Sequence, residues 1–218
     1  ADDGVDVIVL TGADPAFCAG LDLKELGSAT GPPTAVLGEA PDGFGDQAPF
    51  PAMSKPVIGA VNGVAVTGGF EVALRCDLLV ASEWAAFADT HARVGVMPGW
   101  GLTVLLPEAV GLRRARELSA TGNFLDAATA LSWGLVNHVV PHGELLPFAT
   151  KLARDIASND QRGVRRLLRT YDEGSRLTRG DAWKLEAKVA GEWLTEVVDP
   201  AEIEARRRGV VERGRSQI

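Results

Sequence analysis

A chain of 218 residues can bury a core within one domain and still carry a smaller helical appendage. Hydrophobic residues at 46% and charged residues at 23% exclude extensive disorder. A net charge of -7 excludes a general nucleic-acid binder but leaves room for an anionic small ligand on a local basic cluster.

A polar lead-in, Ala1 to Gly4, precedes the β-branched run Val5 to Leu10, which predicts a strand ending at Thr11-Gly12. Ala13 to Leu23 reads as a turn that puts the Cys18-Ala19-Gly20 backbone at that strand's C-terminal end, the edge where open α/β sheets bind ligands. Residues 27 to 50 are rich in glycine, proline and acidic side chains, and both a mobile lid and plain disorder are compatible with them. Val57 to Asn62 predicts a second strand, Gly68 to Arg75 a helix and Asp77 to Ser82 a third strand, so a right-handed parallel crossover is expected. Ala86 to Gly95 reads as an extended piece carrying His91, and Met97 to Gly101 as a turn, with a mostly helical pattern from Leu102 onward.

Asp126 is the expected N-cap of a helix over Ala127 to Trp133 that Gly134 ends, and Leu135 to Val140 predicts a last short strand. Amphipathic helices are expected over Glu144 to Ser158 and Gly163 to Tyr171. Asp199-Pro200 opens a terminal helix through Arg206, Arg207, Arg208 and Arg213. Two domains follow: an α/β core over 1–140 and a helical region over 141–218. The cysteines, Cys18 and Cys76, lack metal-ligand spacing and read as free thiols of a reducing compartment, with a disulfide left open. The longest apolar run, about Val57 to Phe70, contains Asn62 and four glycines and falls short of a membrane span. No N-terminal signal pattern is present, so a cytoplasmic protein is expected. No membrane or nucleic-acid partner is expected either.

The stretch Gly63 to Leu74 is where chemistry can be placed. Adjacent glycines at a strand-to-helix turn let the backbone approach a ligand, and the first amides of the helix have no intrahelical partner. Such an N–H, backed by the helix dipole, can stabilise a developing oxyanion, and Glu71 stands beside it in the first helical turn. The competing reading is that the glycines serve packing and Glu71 complements the dipole.

Three stretches occur in an order and spacing that resembles the crotonase (enoyl-CoA hydratase/isomerase) superfamily. They are Phe17-Cys18-Ala19-Gly20-Leu21-Asp22-Leu23, then Lys55 to Gly63 running into Thr67-Gly68-Gly69-Phe70-Glu71, then Val94-Gly95-Val96-Met97-Pro98-Gly99-Trp100-Gly101. Trp133 to Pro141 resembles that family's next motif. The resemblance implies a spiral of strand-strand-helix turns and a helical C-terminal region that builds trimers or dimers of trimers. It implies an acyl-coenzyme A thioester as substrate, without a metal or further cofactor, and a hydratase reaction on trans-2-enoyl-CoA. Carried over by position, the two backbone donors of the oxyanion hole are Ala19 and Gly68, with Cys18, Gly20, Asp22, Leu23, Gly69 and Trp100 around the substrate.

Typical hydratases of the family handle one water with two glutamates. The first falls on Glu71; the second falls 20 residues later on His91, a departure that still supplies an acid or base near neutral pH. That departure keeps isomerisation, thioester hydrolysis and a non-catalytic acyl-CoA-binding subunit open as alternatives. Taken alone, His91 reads as a ring satisfied by neighbouring backbone or by Asp89; the resemblance turns that reading to a role in the pocket, while His138 and His142 read as structural. Trp100 replaces a residue usually small in the family and either narrows the acyl pocket or fills core. The arginines at 206 to 208 serve a phosphate or face solvent. Two strands and a helix that the family carries before the position of Val5 are not in this sequence, so a truncated chain or a late numbering start is expected.

Overall fold

The computed structural model describes Asp2, residues 4–22, Lys24, Ser28, Phe50 and residues 53–217. Leu23 and, apart from Ser28 and Phe50, the span expected as a lid lie outside them.

The apolar run after Pro56 forms strand β3 (Val57–Val61), buried at every position. Side chains alternate across a strand, so such a run must be covered on both faces. Ile58 and Ala60 join Val80, Leu145 and Ala149 in one cluster, whereas Val61 joins Phe70, Phe87, Leu102 and Leu106 in the other. One strand thus serves two cores.

Strands alternate between two sheets along the chain. The first of each pair, β1 (Ile8–Thr11), β3 and β5 (Leu78–Ser82), lies in one sheet; the second, β2 (Ala16–Cys18), β4 (Val64–Val66) and β6 (Ala86–Ala88), lies in the other. β7 (Leu125–Asp126) and β8 (His138–Val140) complete the orders β2-β4-β6-β7 and β1-β3-β5-β8. All neighbours pair in parallel except β6 and β7. This is the spiral α/β core expected, with two strands added: β2 and β4 occupy stretches that read as turns. Each is three residues long, too short for a local alternation signal, and each exists through non-local pairing such as Ala65 with Phe87.

Helix α1 (Gly68–Leu74) crosses from β4 toward β5. Its Phe70 packs on Phe87 with ring centroids 5.6 Å apart at 49°, an arrangement that adds roughly 1 kcal/mol beyond burial. His91 opens the one-turn helix α2 (His91–Val94), where the sequence reads as extended. α3 (Leu102–Val110), α4 (Leu112–Thr121) and α5 (Ala127–Trp133) follow. Asp126 caps α5 through the Thr129 amide at 2.7 Å, and Gly134 ends it at φ 82°, as the sequence predicts.

After a 3₁₀ turn (His142–Glu144), α6 (Leu145–Ala157) lays Leu145 and Ala149 on the first sheet. The chain divides into compact units Ala1–Gln161 and Arg162–Ile218. Because α6 packs on β1, β3 and β5, the break comes later than the expected 140/141 boundary.

The second unit comprises most of α7 (Gln161–Ser175) with α8 (Arg179–Glu196) and α9 (Pro200–Gln217). Thr178 caps α8 through the Asp181 amide, and Asp199 accepts from the Ala201 amide at the start of α9. α8 is an element the sequence reading does not contain. Its partly buried residues Ala182, Leu185, Val189 and Trp193 lie on one face, but exposed Trp183, Ala187, Ala190 and Leu194 add apolar positions beside it and blur the stripe.

Candidate active site

Glu71 sits in the first turn of α1 and is only 2% exposed. A buried carboxylate needs partners, and both its oxygens have them. Oε1 accepts the Trp100 amide at 2.7 Å and the Leu102 amide at 3.3 Å; Oε2 lies 3.5 Å from Nε2 of His91. The turn after Met97 therefore closes over α1 by donating backbone N–H groups to this side chain.

On the other side of the ring, Nδ1 of His91 stands 2.6 Å from Oδ1 of Asp89, which also accepts the His91 amide at 3.2 Å. That second bond bends the chain directly after β6 and converts the expected extended piece into α2. Asp89 and His91 are 3% and 5% exposed, so the imidazole is held between two carboxylates away from bulk water. Burial disfavours the charged ring, but hydrogen bonds to Asp89 and Glu71, together with their charges, outweigh it and push His91 up to about 9. Burial works against the Asp89 carboxylate as well, yet its bonds to His91 and Ser119 hold it below the usual range. These contacts favour the imidazolium, which offers one N–H to Asp89 and one toward Glu71.

The two glycine turns meet here. A Cβ on Gly69 would lie 1.9 Å from the Cys18 carbonyl oxygen, so only glycine lets the Cys18-Ala19-Gly20 turn seat on α1. On that turn Gly20 has φ 79°, and a Cβ built there would be 3.3 Å from the Gly68 nitrogen. Among the described residues, neither the Ala19 nor the Gly68 N–H donates to another backbone group. Thr67, the residue before α1, has φ 54°, an unfavourable conformation for a β-branched residue. It is held there by its amide on the Ala88 carbonyl at 3.0 Å and by a short hydroxyl contact with Thr90. The strain is therefore stored between the Gly68 turn and the segment that carries Asp89 and His91.

Trp100 is half-buried, with Cζ3 of its indole 2.9 Å from the position a Gly68 Cβ would take. The ring lies against the first residue of α1, beside Glu71, so it borders the site and is not sealed in the core. Cys18 and Gly69 form the contact between the turns. Asp22 is exposed and accepts the Lys24 amide at 2.8 Å, and Leu23 falls outside the described residues. From the sequence Asp89 reads only as a partner that satisfies His91, and nothing local points to the Thr67–Thr90 contact. The available signal was an acid two residues before a histidine at a helix start.

His142 is placed apart from this cluster. Its Nδ1 bonds the fully buried Ser82 hydroxyl at 3.0 Å, its Nε2 faces Asp14 at 3.2 Å, and Trp84 stacks on it at 4.0 Å. Asp14 in turn accepts from Asn62 at 2.8 Å. The group ties the ends of β1, β3, β5 and β8 together. His138 packs its ring at 4.9 Å from Phe148 of α6.

Among the described residues no helix is long and apolar enough to cross a membrane. The model of the enoyl-CoA hydratase/isomerase family matches residues 1–213. A probable peroxisomal enoyl-CoA hydratase 1 of Arabidopsis thaliana is 41% identical over 191 residues, which cover 87% of this chain and 70% of that protein. A probable mitochondrial enoyl-CoA hydratase of Dictyostelium discoideum is 37% identical over 193 residues, covering 86% of this chain and 66% of that one. The crystal structure of an enoyl-CoA hydratase from Mycobacterium tuberculosis H37Rv superposes with a TM-score of 0.69 at 51% identity, covering 89% of this chain and 80% of its own. With the family model spanning nearly every residue and the spiral core shared with that structure, this chain belongs to the enoyl-CoA hydratase/isomerase family.

Proposed function

We propose that the protein adds water to trans-2-enoyl-CoA thioesters. The observation that carries this reading is the buried Glu71–His91 pair, 3.5 Å apart and adjacent to the Gly68 turn. The Ala19 and Gly68 N–H groups receive the thioester oxygen, and fixed donors on an enolate oxygen in a water-poor site contribute several kcal/mol. Glu71 takes a proton from water as its oxygen bonds to Cβ. His91 gives the Nε2 proton to Cα, so water is added in full across the double bond. Transfer of the proton from Glu71 to His91 across the gap between them restores the starting state. Each step uses this chain's own groups, and coenzyme A enters only as part of the substrate.

Cys18, Gly20, Asp22 and Gly69 border the thioester in this reading, and the Trp100 indole forms a wall of the acyl pocket. A homotrimer or dimer of trimers is proposed as well. Trp183 and Leu194 of α8 and Val210 of α9 are 65%, 68% and 71% exposed in the single chain, which favours burial against further copies. The free thiols Cys18 and Cys76 fit a cytoplasmic location as they fit any reducing compartment, and the two relatives carry organelle names.

The test is loss of absorbance at the conjugated enoyl thioester, on short, medium and long acyl chains, with free thiol monitored in parallel. Absorbance lost without thiol release is the expected result. Thiol release would make the protein a thioester hydrolase, and binding without turnover across the panel would make it an acyl-CoA-binding subunit.

A further inference from the structure

His91 is the residue through which a second carboxylate enters the site. Its ring has two nitrogens and each is engaged: Nε2 faces Glu71 Oε2 at 3.5 Å, and Nδ1 faces Asp89 Oδ1 at 2.6 Å. An imidazole held on one side only can rotate about its χ2 bond and exchange which nitrogen it presents. One held at Nδ1 by a buried carboxylate cannot, because turning would leave that charge unpaired. The geometry points to Asp89 as a positioning residue for the reaction, one that fixes the plane of the His91 ring and keeps the Nε2–H directed at the site that Glu71 borders. This rests on the hydratase reading above. It adds to that reading a residue that touches no reacting atom and acts only through His91.

The groups that face the ring come from separate elements. Glu71 belongs to α1 and Asp89 follows β6, while Ser119 of α4 helps to hold the Asp89 carboxyl below its usual range. Asp89 also accepts the His91 amide, and it is 3% exposed. A carboxylate needed only to turn the chain into α2 would require the His91 amide at 3.2 Å and nothing more. The shorter contact to the ring is surplus to that turn and has its function in orientation.

Asp89→Asn separates the two roles, because an amide oxygen still accepts the His91 N–H while the charge is gone. The expected result is a folded protein whose kcat on enoyl-CoA falls about 10- to 1,000-fold with KM changed by less than about threefold. The His91 titration, which against burial its bonds to Asp89 and Glu71 push up to about 9, should fall by at least about one pH unit when followed by NMR, and the basic limb of the pH–rate profile with it. Asp89→Glu, which keeps the charge on a longer arm, should retain the high titration but lose rate. An unchanged titration and an unchanged kcat in Asp89→Asn would overturn the proposal. If the Asn variant does not fold, the wild type decides: nitrogen shifts showing both ring nitrogens of His91 protonated at pH 7 support it, and a neutral ring there overturns it. Absence of hydration by the wild type would instead remove the hydratase reading, which the titrations do not depend on.

Discussion

Two histidines in this protein stand between a pair of polar partners, and they differ in what the second partner is. His91 lies between Asp89 and Glu71, and His142 between Asp14 and the Ser82 hydroxyl. The His91 side chain is 7% exposed, with carboxylates at both nitrogens, whereas His142 is 19% exposed, facing an Asp14 side chain that is 64% exposed. A hydroxyl can donate or accept, so His142 is satisfied in either charge state; two buried carboxylates require the proton at His91. The comparison teaches that a relay-like constellation becomes acid–base machinery when its second partner carries charge and water is kept out. Otherwise it is a stitch between strand ends.

Substitution of each histidine by glutamine breaks the comparison most directly. His91→Gln should lower kcat about 100- to 10,000-fold, the range of a lost general acid, and Glu71→Gln should do the same for the base. His142→Gln should leave kcat within about twofold, measured by the same absorbance assay. A comparable loss from His142→Gln would mean that the strand-end cluster reaches the chemistry.

Stability against pH sharpens the contrast. His91 binds its proton more tightly folded, at about 9, than at the ordinary 6.5, so its contribution is complete below about 6.5 and disappears as pH rises through 9. Up to about 3 kcal/mol should therefore be lost between pH 6.5 and pH 9 in denaturant melts of the wild type. His91→Gln should flatten that slope, and His142→Gln should retain it. The smallest effect expected is on the stitch itself. Removing the His142–Ser82 hydrogen bond should cost about 1 kcal/mol, a Tm lower by about 2–4 °C.

Much of the site was legible locally. Gly68, Gly69 and Glu71 follow one another in a strand-to-helix turn, and a glycine pair with an acid in the first turn needs no distant information. His91 could be singled out by its place in a family-like spacing. Asp89 was harder, because an acid two residues from a histidine is common and becomes meaningful only when both are buried. The one-turn helix at His91 was missed for the same reason: it is produced by the Asp89 side chain accepting the His91 amide, a contact that hydropathy does not encode.

What the sequence determined by itself is the set of elements whose signal is local: the fully apolar β3, the capped α5 with its Gly134 stop, and the proline-started α9. Burial on both faces, a side-chain cap and a fixed φ each act within a few residues. Tertiary structure alone decided that β2 and β4 are strands, since three residues gain a ladder only from neighbours far along the chain. It also decided that Cys18 seats on Gly69, that Trp100 lies against Gly68, and that the His91 ring lies between Glu71 and Asp89, which favours its charged form. Charge state depends on burial and on partners brought together from separate elements, and only the folded chain supplies both.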